Sequence, residues 1–576
     1  MSSFNNLILN EKNAYIYQST QDPRLNAFNK LLRGISTESI SNLVNDIIKT
    51  NDKDMIKDLF VLIFHKRYCR GGEGEKLLSY HLILETYNHY PNIICKLIKL
   101  LPFYGYYKDY FEIWKIICEL KIDDQTRFTK YQSLISAIVS DIKDQFKKDT
   151  DDKVSLLAKW MPRENSHYAR LCYWYVSSSE KIDLVTYLAS IVHNVIPDLK
   201  NVKSNKWYLM KYRKLISELS KKLNISETLM CANKYSEIQY ETVASKAMKN
   251  YTKAFLNEKI KSTDPDCDET GNRYPYNKDR VLARNNLKKF ILDGKLDKLN
   301  GKQLDPHEII AKFIYPTSSL EKEILYSLWD RKKEDVLQSK KSFGKYIPMI
   351  DVSGSMCGGT VEPINVALSL GIMASELASE PYTDMAISFS ERPTIFKFDK
   401  DAKPDQKVEF IKEHHMGFST QFGKAIDLLL DFCVCNKIPD DQVPSLLVFT
   451  DGQFDTMNDC SEDWRTCHKI LTDKWIDAGY KESPTIVYWN LRANTPGFQA
   501  TCNYPGVQLL QGYSPSLMKY ILYGDDTEIK ELDEIKVKEC ITPLETFNNI
   551  INQDIYKPIV EIVESSEELK DISWFL

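Results

Sequence analysis

At 576 residues the chain is longer than one hydrophobic core supports, and with 43% apolar and 27% charged residues it is neither a disordered nor a collagen-like polymer. Thirteen cysteines without a recurring Cys-x-x-Cys spacing speak against a secreted disulfide framework, and no uncharged apolar run approaches the roughly 18 residues of a membrane span. The net charge of −4 hides an imbalance: residues 1–340 hold 55 Lys and Arg against 43 Asp and Glu, a net of +12, while residues 341–576 hold 21 against 37, a net of −16. A polyanion-facing part joined to one that is not would have this split, and so would two oppositely charged parts docked on each other.

The opening MSSFNNLILNEKN has no basic segment followed by an apolar one, so no secretory signal is read there and a cytoplasmic protein is expected. From about residue 25 to 335, apolar residues recur at three- and four-residue spacing, as in TESISNLVNDIIKT (37–50), DLFVLIFHKRYC (58–69) and PHEIIAKFIY (306–315). That period predicts an α-helical-repeat, HEAT-like domain over 25–335, although no crisp internal repeat is visible. RGGEGEK (70–76) lacks the spacing of a phosphate-binding loop and reads as a helix–helix turn. DPDCDETG (264–271) begins like a calcium loop but has Glu269 where the sharp-turn glycine belongs and Pro275 where the bidentate glutamate belongs, so it reads as a solvated linker.

Residues 201–300 carry 21 Lys and Arg against 12 Asp and Glu, and KWYLMKYRK (206–214) interleaves cations with aromatics. Lys203, Lys206, Trp207, Lys211, Tyr212, Arg213 and Lys214 are therefore candidate RNA contacts, the cations for phosphates and the rings for unpaired bases. The plainer reading of the same spacing is an amphipathic helix with its rings in the core and its lysines in water.

The charged stretch RKKEDVLQSKKSFGK (331–345) marks a boundary, after which the period changes. YIPMI (346–350), DMAISFS (384–390), SLLVFTD (445–451) and TIVYWNLR (485–492) read as strands, alternating with helical stretches at 361–380, 421–436, 462–478 and 515–523. This rhythm predicts a doubly wound, mainly parallel α/β domain over 345–576, whose final segment from about 530 is a strand or loop and one or two helices. In such sheets ligands bind outside the carboxyl ends of the strands, where Asp351, Ser353 and Ser355 fall. One carboxylate and two hydroxyls on alternate residues, with Gly354 permitting a tight bend, suit the hard-oxygen octahedron of Mg²⁺ (or Mn²⁺), and Thr420 and Asp451 lie where later strand ends could complete it. Against this stands a chance DxSxS on a sheet edge. Cys433, Cys435, Cys460, Cys467 and His468 match no zinc spacing and read as thiols. SGSM is not a GxSxG elbow, so no catalytic residue is assigned.

DVSGSM followed by Thr420 and FTDG resembles the von Willebrand factor A domain with its metal-ion-dependent adhesion site, over roughly residues 345–560. The resemblance implies that Ser353, Ser355 and Thr420 bind the metal directly, that Asp351 and Asp451 hold it largely through water, and that a protein partner's carboxylate fills the last position. Gln421 departs from the Asp that commonly follows the threonine. CRGGEGEKLL (69–78), LPFYGYYKDYFEIW (101–114) and AKWMPRENSHYAR (158–170) resemble a DUF2828-type family found in plants, fungi, amoebae and giant viruses. That family is similar in layout to the TROVE-module Ro ribonucleoproteins, in which a ring of helical repeats binds RNA and a von Willebrand A domain follows. The expectation is a non-enzymatic, metal-dependent scaffold, ribonucleoprotein-like and without a membrane. A Mg²⁺-dependent phosphoryl hydrolase and a structural, virion-associated protein are the alternatives.

Overall fold

The computed structural model describes residues 6–9, 15–149, 153–177, 180–194, 202–261, 263–301, 303–313, 318–337, 344–357, 363–389, 392–414, 422–452, 464–493, 495, 497–521 and 541–570. The chain opens with a two-stranded antiparallel ribbon, β1 (Leu7–Leu9) and β2 (Tyr15–Tyr17). Helices then dominate to Leu337, the longest being Asp124–Lys148 and Val202–Lys222. The helical period therefore holds, with one exception. YWYVS and EKID form a hairpin, β3 (Tyr173–Ser177) and β4 (Glu180–Asp183), whose aromatic and β-branched residues favour a strand over the surrounding helix pattern.

After Gly344 come six strands in one sheet: β5 (Tyr346–Asp351), β6 (Met385–Phe389), β7 (Ile395–Lys397), β8 (Ser445–Thr450), β9 (Ile486–Asn490) and β10 (Val507–Gln511). Their order is β10-β9-β8-β5-β6-β7, parallel except for the short edge strand β7. The sequence pattern had located β5, β6, β8 and β9. β7 and β10 are additions, as is the helix Pro404–His414. Pro348 stands in the central strand, where proline is rare; the ladder to β6 begins only at Met349, so Pro348 takes part in one ladder, with β8.

The two faces of the sheet bury different things, as period-two alternation demands. Ile347, Met349, Leu446 and Val448 pack with Phe422, Ile426 and Leu429 of the helix Phe422–Cys435 and with Trp475. Ile350, Leu447 and Phe449 face the other way, into the helix Pro363–Leu377 and a core continuous with the helical region. Gly371 is the point of close approach, since a Cβ there would collide with Ile350.

Both chain ends cross between the regions. Tyr17 and Phe498 exchange backbone hydrogen bonds at 2.9 and 2.8 Å, tying the opening ribbon beside the sheet. The closing helices pack on the helical region: the Tyr556 hydroxyl is hydrogen-bonded to His65 Nδ1 at 2.7 Å, Tyr104 donates to the Ile555 carbonyl at 2.6 Å, and Phe547 lies edge-on to Phe28. Glu568 accepts from the backbone N–H groups of Asn92 and Ile93, closing the start of the helix Pro91–Leu97.

The turn holding RGGEGEK lies between the helices Lys53–Arg67 and Leu77–Tyr87 and is a buried charged junction. Lys66 donates to Glu73 at 2.8 Å and to the Phe28 carbonyl, Arg33 pairs with Glu75 at 2.9 Å, and Arg67 grips Asp109 through two bonds. Each buried charge is matched, as burial requires.

Candidate metal centre and basic surface

Strand order reverses at β5, with β6 on one side and β8 on the other, so the crevice between the carboxyl ends of β5 and β8 is the switch point of the sheet. Both strands are almost wholly buried apolar runs, and each delivers an acid at its end: Asp351 from β5 and Asp451 immediately after β8, both fully buried. Asp351 Oδ1 accepts from the Ser353 backbone N–H at 3.0 Å and Oδ2 from Thr450 Oγ1 at 2.9 Å. The turn Gly354–Met356 brings the Ser353 and Ser355 hydroxyls within 3.0 Å of each other. Gly452, at φ +77°, lets the chain leave β8 sharply, and its N–H donates to Thr450 Oγ1.

Two carboxylates share this water-poor corner. The Asp351 carboxyl is pushed up to about 7, first by burial and then by the charge of Asp451, against the opposing pull of hydrogen bonds from Ser353 and Thr450. The guanidinium of Arg492, just past β9, stands 3.6 Å from Asp451 Oδ2. Buried acids of like charge need a proton or a cation between them, and two hydroxyls with two carboxylates make a hard-oxygen donor set of the kind Mg²⁺ takes. Among the described residues no cluster of three or more His, Cys, Asp or Glu has metal-site geometry, so any ion here relies on the hydroxyls.

Four of the five expected ligands are thus placed around the ends of two neighbouring strands, and Thr420 lies outside the described residues. Thr450 and Arg492 are the residues that sequence reasoning missed. Both stand in stretches singled out for their strands, and their signal was position at a carboxyl end, where side chains enter the crevice.

On the helix Val202–Lys222 the interleaved residues divide by face. Lys206, Trp207, Lys211, Arg213 and Lys214 are exposed, with Trp207 53% exposed and the Lys211 ammonium 3.9 Å from the centre of its ring. Arg213 pairs with Glu164 at 3.4 Å and Lys214 lies 3.9 Å from Glu218. Lys203 stands in the same helix. Tyr212 corrects the expectation: together with Tyr208, one turn away on the same face, it is buried, and its hydroxyl donates to the Pro162 carbonyl at 2.9 Å. Its ring offers no face to a base, which leaves Trp207 as the stacking candidate.

Residues 133–262 match the model of a domain of unknown function, DUF2828, which bears out that expected likeness, and residues 345–553 match a second domain of unknown function, DUF7788. An uncharacterized protein of Acanthamoeba polyphaga mimivirus is 27% identical over 512 residues, covering 84% of this chain and 80% of that one. Among solved structures, the Ro (RSR) protein of Deinococcus radiodurans aligns over 88% of this chain and all of its own at 11% identity and a TM-score of 0.34. No helix among the described residues is long and apolar enough to cross a membrane.

Proposed function

We propose that the chain is a non-enzymatic binding protein with a HEAT-like helical domain (25–335) and a von Willebrand A-type domain (345–576), the latter holding one Mg²⁺ or Mn²⁺ at its strand ends. The observation that carries this reading is the buried pair Asp351 and Asp451 at the switch point of the sheet, beside the paired hydroxyls of Ser353 and Ser355. Asp351, Ser353, Ser355, Asp451 and, by the sequence motif, Thr420 would hold the ion. When bound, it supplies a positive centre with an open position for a carboxylate from a protein partner. Thr450 orients the Asp351 carboxylate through its hydroxyl, and Arg492 holds charge balance at Asp451. A hydrolase reading has less support, because Ser353 stands where a second acid would be needed.

Titration of the full chain with Mg²⁺ and Mn²⁺ should show uptake at a single site that is lost in Asp351→Ala. Equal uptake by both proteins would defeat the metal reading. Phosphate-ester turnover that disappears in Asp351→Ala would favour the hydrolase.

The helical half is proposed to contact RNA through Lys206, Trp207, Lys211, Arg213, Lys214 and the neighbouring Lys203, which rests on its net charge of +12 and the exposed Trp207–Lys211 pair. Affinity should fall steeply with salt, with a log–log slope of about −0.7 for each phosphate neutralised on a single strand, and Lys211→Glu with Lys214→Glu should flatten that slope. Absence of binding to single-stranded or hairpin RNA by the full chain at low ionic strength would remove this part and leave the metal site standing.

A further inference from the structure

A cavity of 960 Å³, lined by none of the strand-end acids, is walled by the turn after Leu31, the RGGEGEK turn, the helices Ser245–Phe255 and Pro306–Phe313, and Asn365 of Pro363–Leu377. Its size is in the range of sites for mononucleotide-sized ligands. Leu32, Ile35, Ile40 and Leu78 give it an apolar floor. Its wall is charged, and most of that charge is already matched: Arg33 grips Glu75 through two bonds of 2.9 and 3.1 Å, while Lys246 and Lys249 reach Glu308 at 3.2 and 3.0 Å.

Lys76 and His307 take no part in these pairs. Lys76 at the rim has no carboxylate within ion-pair distance among the described residues. Its ammonium is held below the usual lysine range, first by partial desolvation at the rim and then by the cations Lys246, Arg67 and Lys108, with Asp109 pulling the other way. His307, only 5% exposed, lines the cavity, and its Nδ1 has no hydrogen-bond partner among the described residues. Burial keeps the imidazole neutral by lowering its pKa, so Nδ1 can donate or accept. An orphaned buried nitrogen is a defect in a closed core and a contact in a binding site.

We propose that this cavity binds an organic phosphate of about mononucleotide size, its phosphate at Lys76 and Lys246, its apolar part on the leucine and isoleucine floor, and a polar group at His307. A bare inorganic anion would leave the floor and His307 unused, and an uncharged ligand would leave Lys76 unmatched. Asp305 and Glu308 favour a ligand that also carries hydroxyl or amino donors. The site stands independently of the metal and RNA readings.

Calorimetric titration of the full chain with adenosine monophosphate, glucose 6-phosphate and inorganic phosphate tests it. At least one organic phosphate should bind more tightly than inorganic phosphate. Lys76→Glu, at the solvent-facing rim of the cavity, should weaken that binding at least about tenfold, or ~1.4 kcal/mol, in protein that circular dichroism shows to be folded. His307→Ala should weaken it as well, while Asp351→Ala should bind like the wild type. The proposal is overturned if neither organic phosphate binds, if inorganic phosphate binds as tightly, or if folded Lys76→Glu binds like the wild type.

Discussion

Asp351 is a residue whose role and whose stability oppose each other. Its folded-state pKa lies near 7, above the ordinary carboxylate value of 3.8. The folded protein therefore binds the proton more tightly than the unfolded chain, and the metal-free protein should lose stability as pH rises from about 4 to about 7. Asn in its place cannot ionise, so Asp351→Asn in chelator should melt higher than the wild type at pH 8, with the difference shrinking toward pH 5, while taking up no divalent ion. Scanning calorimetry at both pH values checks this, and a lower melting temperature at pH 8 would contradict it. The two rings of the basic helix give a matching contrast. Trp207→Ala should leave stability unchanged and weaken RNA binding by about 1–3 kcal/mol per lost stack. Tyr212→Phe should cost about 1 kcal/mol of folding stability through the lost bond to Pro162 and leave RNA affinity alone.

At the scale of elements, how much the sequence disclosed depended on how locally each feature is determined. β5, β8 and β9 are continuous runs of buried β-prone residues bounded by polar ones, so their period betrays them; VQLLQ, which forms β10, mixes glutamines into the run and is buried by tertiary contacts that no window detects. Edge strand β7 is three residues long, too short for a period. In the candidate site, the alternation of Asp351, Ser353 and Ser355 was legible because it is local. Thr450 and Arg492 needed the register of three strands to bring them to one crevice. The helix Pro363–Leu377 depends on a missing side chain: Gly371→Ala would force a methyl against Ile350, and overpacking of this kind costs about 1–3 kcal/mol. Because Ile350 precedes Asp351, that substitution should also loosen divalent-ion binding. Denaturation midpoints and metal titration of Gly371→Ala test both parts, and an unaltered midpoint would mean that the helix can shift without loss.

For the whole molecule, the packing of the chain ends matters more than the change of pattern at residue 345. Buried His65 is hydrogen-bonded to Tyr556, Phe28 is covered by Phe547, and the turn at Glu73 meets Gly512 just past β10. Removing residues 541–576 should therefore destabilise the helical region as well as the sheet region, with hydrogen exchange rising in Lys53–Arg67 and Pro91–Leu97; unchanged protection there would show that these helices hold without their cover. Ion pairs cross the same boundary, Lys322 with Asp405 at 2.7 Å and Lys333 with Glu376 at 3.0 Å. The clasp also sets an order in time. At a synthesis rate of about 5–20 residues per second, the helix bearing His65 would wait on the order of tens of seconds before Phe547 and Tyr556 are made. Throughout that interval the apolar faces of Lys53–Arg67 and Pro91–Leu97 that Pro543–Ile551 and Lys557–Glu564 cover would stay open, so the growing chain would need a chaperone's shelter that the folded protein does not.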